Sequence, residues 1–137
     1  MRGLYVANRH IPDGYHAVNP YLHVQGAERL IAFVTETFAA VELSRHTDHD
    51  GRIRHAEFKI GDSIIECSDA RDDFPAMQSG LHVYVPDTDA CFLKAVAAGA
   101  TVLYEPQNMP YGERSAGVKD PLGNNWYIAT YLRQESS

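Results

Sequence analysis

Short stretches of alternating hydrophobic and polar residues run along this chain, separated by segments with helical spacing. In the first half, alternation predicts strands at residues 17–24, 41–46, 53–60 and 63–68. Apolar residues three and four positions apart predict a helix from about 26 to 39, between the first two of these strands. The pattern therefore predicts the element order βαβββ.

The second half of the chain repeats that order. Strands are predicted at residues 81–85, 101–104, 114–119 and 125–132, and a helix at about 88–98. Val24 aligns with Val85 and Val41 with Val102 at the same offset along the chain, and the two halves align without a gap. A repeat of this size indicates two copies of one unit packed together.

The repeat also defines the predicted organisation of the chain. The predicted parts are an N-terminal arm (1–14), a single domain (15–132) and a tail (133–137). The domain contains a first module of about 15–69 and a second module of about 80–132. Residues 70–79 between the modules carry charge and a proline without any period, which is typical of a linker.

Composition and charge exclude several classes of protein. The 137 residues include 12 basic and 18 acidic side chains, and this acidic balance argues against nucleic acid as a partner. Two cysteines, Cys67 and Cys91, are too few for a disulfide framework or a structural zinc site. No apolar run approaches the roughly 18–20 residues of a membrane span. We therefore expect a cytoplasmic protein whose partner is a small molecule, with no nucleic acid and no membrane.

Three stretches of the sequence resemble one known family. The most specific is Asp120–Trp126, which is similar to the DPxGN/H turn before that family's last strand. The others are Ala97–Ala100, after the second predicted helix, and His55–Ser63. Together they resemble the vicinal oxygen chelate superfamily of glyoxalases, bleomycin resistance proteins and extradiol dioxygenases, in its PhnB-like branch. Ala39 departs from the pattern, because the family usually has glycine at the end of the first helix.

This resemblance implies an α+β fold with two βαβββ modules. Each module would form a curved mixed sheet with a helix on its convex side, and the concave sides would form an open cup. The family usually completes that cup as a homodimer. Its metal-dependent members hold an ion at four positions, which fall here on Asn19, Glu66, Gly80 and Tyr127.

Of these four positions, only Glu66 carries a good ligand for a divalent ion. Gly80 has no side chain, and the phenol of a tyrosine such as Tyr127 ordinarily keeps its proton at neutral pH. The sequence therefore predicts no metal at the family's usual site and no other cofactor. A displaced metal site remains an alternative, with Glu66 and His82 joined by His55 or Glu57. Glu66 is also the candidate general base.

Aromatic and charged residues complete the predicted binding site. Tyrosines alternate onto the predicted concave faces, where such rings hold flat or cationic ligands. Residues 109–114 are predicted to form a loop over the rim of the cup. The full set of predicted ligand-binding residues is Asn19, Tyr21, His55, Glu66, His82, Tyr84, Tyr111, Arg114 and Tyr127.

Three classes of function follow from these residues. The first is a metal-independent small-molecule-binding protein of the bleomycin-resistance or PhnB-like type, with an aromatic or cationic ligand. The alternative is a glyoxalase-like lyase or isomerase, or a dioxygenase-type enzyme, with Glu66 as base or in a displaced metal site. A binding or regulatory module without chemistry is a third possibility.

Overall fold

A computed structural model describes residues 9–133, which form two four-stranded mixed sheets, each with one helix. The first module contains β1 (Tyr21–Val24), α1 (Ala27–Phe38), β2 (Val41–Thr47), β3 (Ile53–Ile60) and β4 (Ser63–Asp69). The second contains β5 (Gly80–Tyr84), α2 (Thr88–Ala97), β6 (Thr101–Met109), β7 (Glu113–Lys119) and β8 (Asn125–Tyr131). The predicted α+β fold of two βαβββ modules is confirmed. Most of the predicted arm and tail, residues 1–8 and 134–137, lies outside the described residues.

Both sheets have the same strand order, which is β1-β4-β3-β2 in the first module and β5-β8-β7-β6 in the second. The first and fourth strands of each module run parallel, and the other neighbours run antiparallel. Each sheet packs its helix on one face. We call the opposite, helix-free face of each sheet its open face.

The sequence suggested a repeat without gaps, but the strand pairing shows that the segments joining the last two strands of each module differ in length by one residue. Glu66 and Tyr127 occupy equivalent places on β4 and β8, and their partners on the adjacent antiparallel strands are Glu57 and Gly117. In sequence, Gly117 is one residue further from Tyr127 than Glu57 is from Glu66. The chain from β7 to β8 is therefore one residue longer between equivalent pairs than the chain from β3 to β4.

The first strand is shorter than predicted, because it begins at Tyr21 and not at residue 17. Pro20 has no backbone N–H to donate to a strand ladder. Just before it, the Asn19 side chain accepts from His16 N at 3.0 Å and donates to His16 O at 2.7 Å. This local turn holds Asn19 outside the sheet.

The core lies between the helices and sheets, and it is continuous across both modules. Trp126 on β8 is fully buried, and its ring packs against Phe33 and Phe38 of α1 at centroid distances of 6.4 and 5.1 Å. The helices also contact one another, since Cys91 Sγ donates to Thr37 O at 3.3 Å. The two modules therefore share one hydrophobic core.

A buried carboxylate shapes the turn that carries the most specific motif. Asp120 is buried and accepts hydrogen bonds from the backbone N–H groups of Leu122 and Asn124. Its second oxygen accepts from Trp126 Nε1 at 2.8 Å and from Asn124 Nδ2 at 3.1 Å. The motif thus fixes both the turn and the tryptophan at the centre of the core.

At the end of α1, alanine stands at position 39, where the family usually has glycine, and this affects stability. Ala39 has φ 55° and ψ 37°, which is the left-handed conformation. Among residues 9–133 it is the one non-glycine residue with positive φ. An L-residue in this conformation costs about 1 kcal/mol or somewhat more.

The two helices have 12 and 10 residues. Within residues 9–133, no helix combines the length and the apolar character that crossing a membrane requires.

Candidate functional site

Four polar side chains meet on the open face of the first sheet. The parallel pairing of β1 with β4 places Tyr21 beside Glu66, and the antiparallel pairing of β3 with β4 places Glu57 on the other side of Glu66. His55 lies two residues before Glu57, and therefore projects from the same face. We call Tyr21, His55, Glu57 and Glu66 the His55 cluster.

The imidazole of His55 is at the centre of this cluster. Its Nδ1 lies 3.2 Å from the Tyr21 hydroxyl, and its Nε2 lies 3.1 Å from Glu57 Oε1. The same Nε2 is 3.4 Å from Glu66 Oε1. The sequence predicted Tyr21, His55 and Glu66 as site residues, and the structure brings all three together.

Burial and like charge distinguish the two carboxylates of this cluster from surface carboxylates. The side chains of Glu57 and Glu66 are 17% and 24% exposed. Partial burial, and then the negative charge of Glu66, raise the pKa of Glu57 above its ordinary value. Glu57 can therefore accept a proton more readily than an isolated surface carboxylate, and the two closely spaced carboxylates together attract a positive ion.

A second cluster lies on the open face of the second sheet, where Glu113 is 7% exposed in its side chain. His82 Nε2 is 2.9 Å from Glu113 Oε2, and the Tyr84 hydroxyl donates to Glu113 Oε1 at 3.4 Å. We call His82, Tyr84 and Glu113 the Glu113 cluster. It places a nearly buried carboxylate beside exposed rings.

Sequence reasoning missed Glu113, because residues 109–114 were predicted as a rim loop. Pro110 and Gly112 favour a turn, but the turn is short and β7 begins at Glu113. The signal that was available is the alternation of Glu113 with Ser115 and Gly117, which places all three on the open face.

Exposed tyrosines surround the Glu113 carboxylate. Tyr84, Tyr111 and Tyr131 are 64%, 69% and 69% exposed. Tyr131 is the direct partner of Glu113 in the β7–β8 ladder. Partial desolvation and the charge of Glu113 raise the pKa of Tyr111 above its ordinary value. The open face here presents aromatic rings next to one negative charge.

A cleft separates the two modules between β1 and β5. Its volume is about 390 Å³, and residues 20–22 and 79–82 line it. Tyr21 belongs to the His55 cluster and His82 to the Glu113 cluster, so the two clusters lie on opposite sides of the cleft. Gly80 also lines the cleft and contributes no side chain to it.

The four positions of the family's usual metal site do not fit a metal ion. The Asn19 side chain is engaged with His16, and Gly80 offers no ligand atom. The Tyr127 hydroxyl accepts from Asn125 Nδ2 at 3.4 Å. Glu66 alone remains as a suitable ligand, and one carboxylate cannot hold a divalent ion tightly.

Two other predicted residues are placed differently from the sequence interpretation. His82 pairs with Glu113 and not with Glu66, so the predicted Glu66–His82 pair does not form. Arg114 lies on the helix side of β7, where its guanidinium binds the Asp89 carboxylate at 2.6 and 2.9 Å and lowers the pKa of Asp89. The prediction of Arg114 on the rim is wrong, because residue 114 belongs to a strand and faces α2.

The two cysteines are buried in the core, and Cys67, which follows Glu66 on β4, projects from the opposite, helix-covered face of the sheet. Burial raises the pKa of Cys67 to about 12 and that of Cys91 to about 11. Neither thiol has the lowered pKa of an activated nucleophile.

A family model and individual proteins are both similar in sequence to most of this chain. The family model of the Glyoxalase/Bleomycin resistance protein/Dioxygenase superfamily matches residues 15–128. An uncharacterized protein of Mycobacterium bovis is 33% identical over 132 residues, covering 86% of this chain and 85% of its own.

Solved structures show the same fold. TnmS3, an antibiotic binding protein from Streptomyces sp. CB03234, has a TM-score of 0.68 at 24% identity, covering 90% of this chain and 98% of its own. A PhnB protein from Bacillus cereus has a TM-score of 0.64 at 20% identity, covering 86% of this chain and all of its own.

Proposed function

Because the chain belongs to the glyoxalase/bleomycin resistance protein/dioxygenase superfamily, we propose that it binds a small molecule on its open faces, without the family's usual four-ligand metal site. The observation that carries this proposal is the nearly buried carboxylate of Glu113 together with the three largely exposed tyrosines around it, Tyr84, Tyr111 and Tyr131. A ligand with a flat, positively charged ring system matches this arrangement.

Two interactions favour such a ligand. Aromatic rings attract a cation through their negative faces, by about 0.5–2 kcal/mol per ring. The Glu113 carboxylate adds an opposite charge in a partly desolvated place, where electrostatic attraction is stronger than in water. TnmS3, which has the same fold and is an antibiotic binding protein, supports a small-molecule ligand, and the net charge of −6 favours a cation over an anion.

We also propose that a second copy of the chain completes the site. Large apolar side chains on the outer strands are exposed, namely Val41 and Leu43 on β2 and Val102 and Leu103 on β6. Burial of such residues between copies would contribute about 25 cal/mol per Å² of apolar surface. Light scattering at micromolar concentration is expected to give twice the mass of 15.3 kDa, and a mass of one chain would contradict the dimer.

Calorimetric titration with a matched pair of probes tests the ligand class. N-methylacridinium and neutral acridine have nearly the same shape and differ in charge at pH 8. We expect tighter binding of the cation, and about a 2- to 30-fold loss in affinity in Tyr84→Ala, which corresponds to one lost cation–π contact.

Leu93→Ala is the matched control, because Leu93 is largely exposed on α2, away from the open faces. It should leave the affinity unchanged. Equal affinity for both probes, or no effect of Tyr84→Ala, would contradict the proposed ligand class.

Catalysis is a second candidate function, and the His55 cluster favours it. Glu66 lies 3.4 Å from a histidine ring nitrogen and beside a second carboxylate whose pKa is raised. Catalytic carboxylates act as general bases in such partly buried surroundings with a second titratable group within reach. In this case Glu66→Gln abolishes turnover of a substrate found by screening while the melting temperature is retained. Unchanged turnover would remove Glu66 from the mechanism.

A further inference from the structure

We propose that His55, Glu57 and Glu66 bind one divalent cation, through His55 Nε2 and one oxygen of each carboxylate. This site shares only Glu66 with the four positions that the family's metal-dependent members use. It does not involve His82, which the sequence suggested as a ligand, and it does not depend on the identity of the small molecule.

The spacing of the three ligand atoms suits a metal ion. His55 Nε2 lies 3.1 Å from Glu57 Oε1 and 3.4 Å from Glu66 Oε1. All three residues offer ligand atoms that lie within 4.8 Å of one another. Around an ion with bonds of about 2.1 Å, neighbouring ligand atoms are about 3.0 Å apart in an octahedron and about 3.4 Å apart in a tetrahedron. Small side-chain rotations are therefore sufficient to close the site.

The Tyr21 hydroxyl provides the outer contact that metal-binding histidines usually have. It lies 3.2 Å from His55 Nδ1, on the side of the ring away from the carboxylates. When Nδ1 carries the proton and donates a hydrogen bond to the Tyr21 hydroxyl oxygen, the lone pair of Nε2 points towards Glu57 and Glu66. Such contacts fix the ring orientation and the tautomer of a ligating histidine.

The charges on this face also favour a doubly charged ion. Two carboxylates face one imidazole, whose single Nε2 proton cannot bond well to both of them. A protonated His55 supplies one positive charge against two negative ones, whereas a divalent ion balances both carboxylates. All three side chains are between 17% and 31% exposed, so the outer side of the site stays open to water or a ligand.

The ligand set indicates which ions to test. One imidazole nitrogen with two carboxylate oxygens suits Zn²⁺, Mn²⁺ or Fe²⁺, and lacks the thiolates that select Cu⁺. Zn²⁺ and Mn²⁺ are the practical probes, because Mn²⁺ is followed directly by its paramagnetic resonance signal.

The experiment titrates the full chain, after treatment with a chelator, with Mn²⁺ and separately with Zn²⁺. We expect one strongly bound ion per chain. Glu57→Gln, Glu66→Gln and His55→Asn should each weaken it by at least tenfold, and Tyr21→Phe by about tenfold through loss of the outer contact.

His82→Asn is the matched control, because His82 also contacts a carboxylate, that of Glu113, but in the other module. It should leave ion affinity unchanged. The absence of stoichiometric binding, or equal losses in His82→Asn and the three ligand variants, would overturn the site. Melting temperatures of the ion-free variants identify any variant that fails to fold. The ion affinities of Tyr21→Phe and Glu66→Gln then still decide whether the site exists.

Discussion

The backbone of Ala39 is held in a conformation that its own side chain disfavours. The residue is exposed, so replacing it removes no packing from the core. Glycine adopts the left-handed conformation without steric cost, although it also gives the unfolded chain more freedom. Ala39→Gly should therefore raise the free energy of unfolding by about 0.5–1 kcal/mol, measured by urea denaturation.

The last turn of α2 supplies the control for that change. Ala97 is exposed and lies within the helix. Ala97→Gly should lower the free energy of unfolding by up to about 1 kcal/mol. If the two substitutions had the same sign, the left-handed strain at Ala39 would not be the cause.

The two buried thiols make stability fall at high pH. Burial raises the pKa of Cys67 to about 12 and that of Cys91 to about 11 in the folded state, from an ordinary value of 9.0. Their contribution to stability is fully present below pH 9. It decreases as the pH rises towards 11 and 12, because the unfolded chain loses these protons first.

Urea denaturation between pH 8 and 10.5 measures this effect. The free energy of unfolding of the native chain should fall more steeply with pH than that of C67A/C91A, by at most about 1.4 kcal/mol per pH unit for each thiol. Parallel pH profiles would contradict the raised values.

At the level of elements, the turn before β8 depends on one carboxylate. Both oxygens of Asp120 accept hydrogen bonds, and one of the donors is the buried Trp126 Nε1. Asp120→Asn places an amide N–H group against these donors, which leaves buried polar groups without partners. We expect a loss of about 2–3 kcal/mol in the free energy of unfolding, measured in urea.

The equivalent turn of the first module supplies a matched control. Asp62 lies between β3 and β4 and is exposed. Its side chain accepts a single hydrogen bond from the part of the chain that the structure describes, donated by the hydroxyl of the neighbouring Ser63. Asp62→Asn should change stability by less than about 0.5 kcal/mol. A similar loss in both variants would show that the burial of Asp120 is not the cause.

Most of the elements could be predicted from the sequence, because alternation and helical spacing are local properties. The start of β1 was misplaced since a turn around Asn19 competes with the strand. The gapless repeat was wrong because one added residue between β7 and β8 changes no pattern of polarity, and only strand pairing reveals it.

The candidate site was predictable in part. Tyr21, His55 and Glu66 lie together as strand alternation implies. The partnership of His82 with Glu113 was not predictable, because it depends on where a short turn ends and on pairing between distant strands. Arg114 was misplaced for the same reason, since one residue along a strand decides which face a side chain occupies.

At the level of the whole molecule, the shared core predicts that the two modules unfold together. Trp126, the chain's single tryptophan, belongs to the second module and packs on Phe33 and Phe38 of the first. Unfolding either module exposes this contact. Tryptophan fluorescence and far-ultraviolet circular dichroism should therefore give coincident transitions in urea, and two separated transitions would contradict a common core.

The burial of both cysteines has a practical consequence for the cleft between the modules. Since Cys67 and Cys91 are the chain's two thiols and both stay protonated in the core, a cysteine added at the surface will be the fast-reacting one. Gly80→Cys places it in the cleft, where a β-carbon meets the Tyr127 ring at an ordinary 3.5 Å. A fluorophore or spin label attached there will test the proposed ligand binding and the proposed pairing of two copies, without removal of any native residue from either cluster.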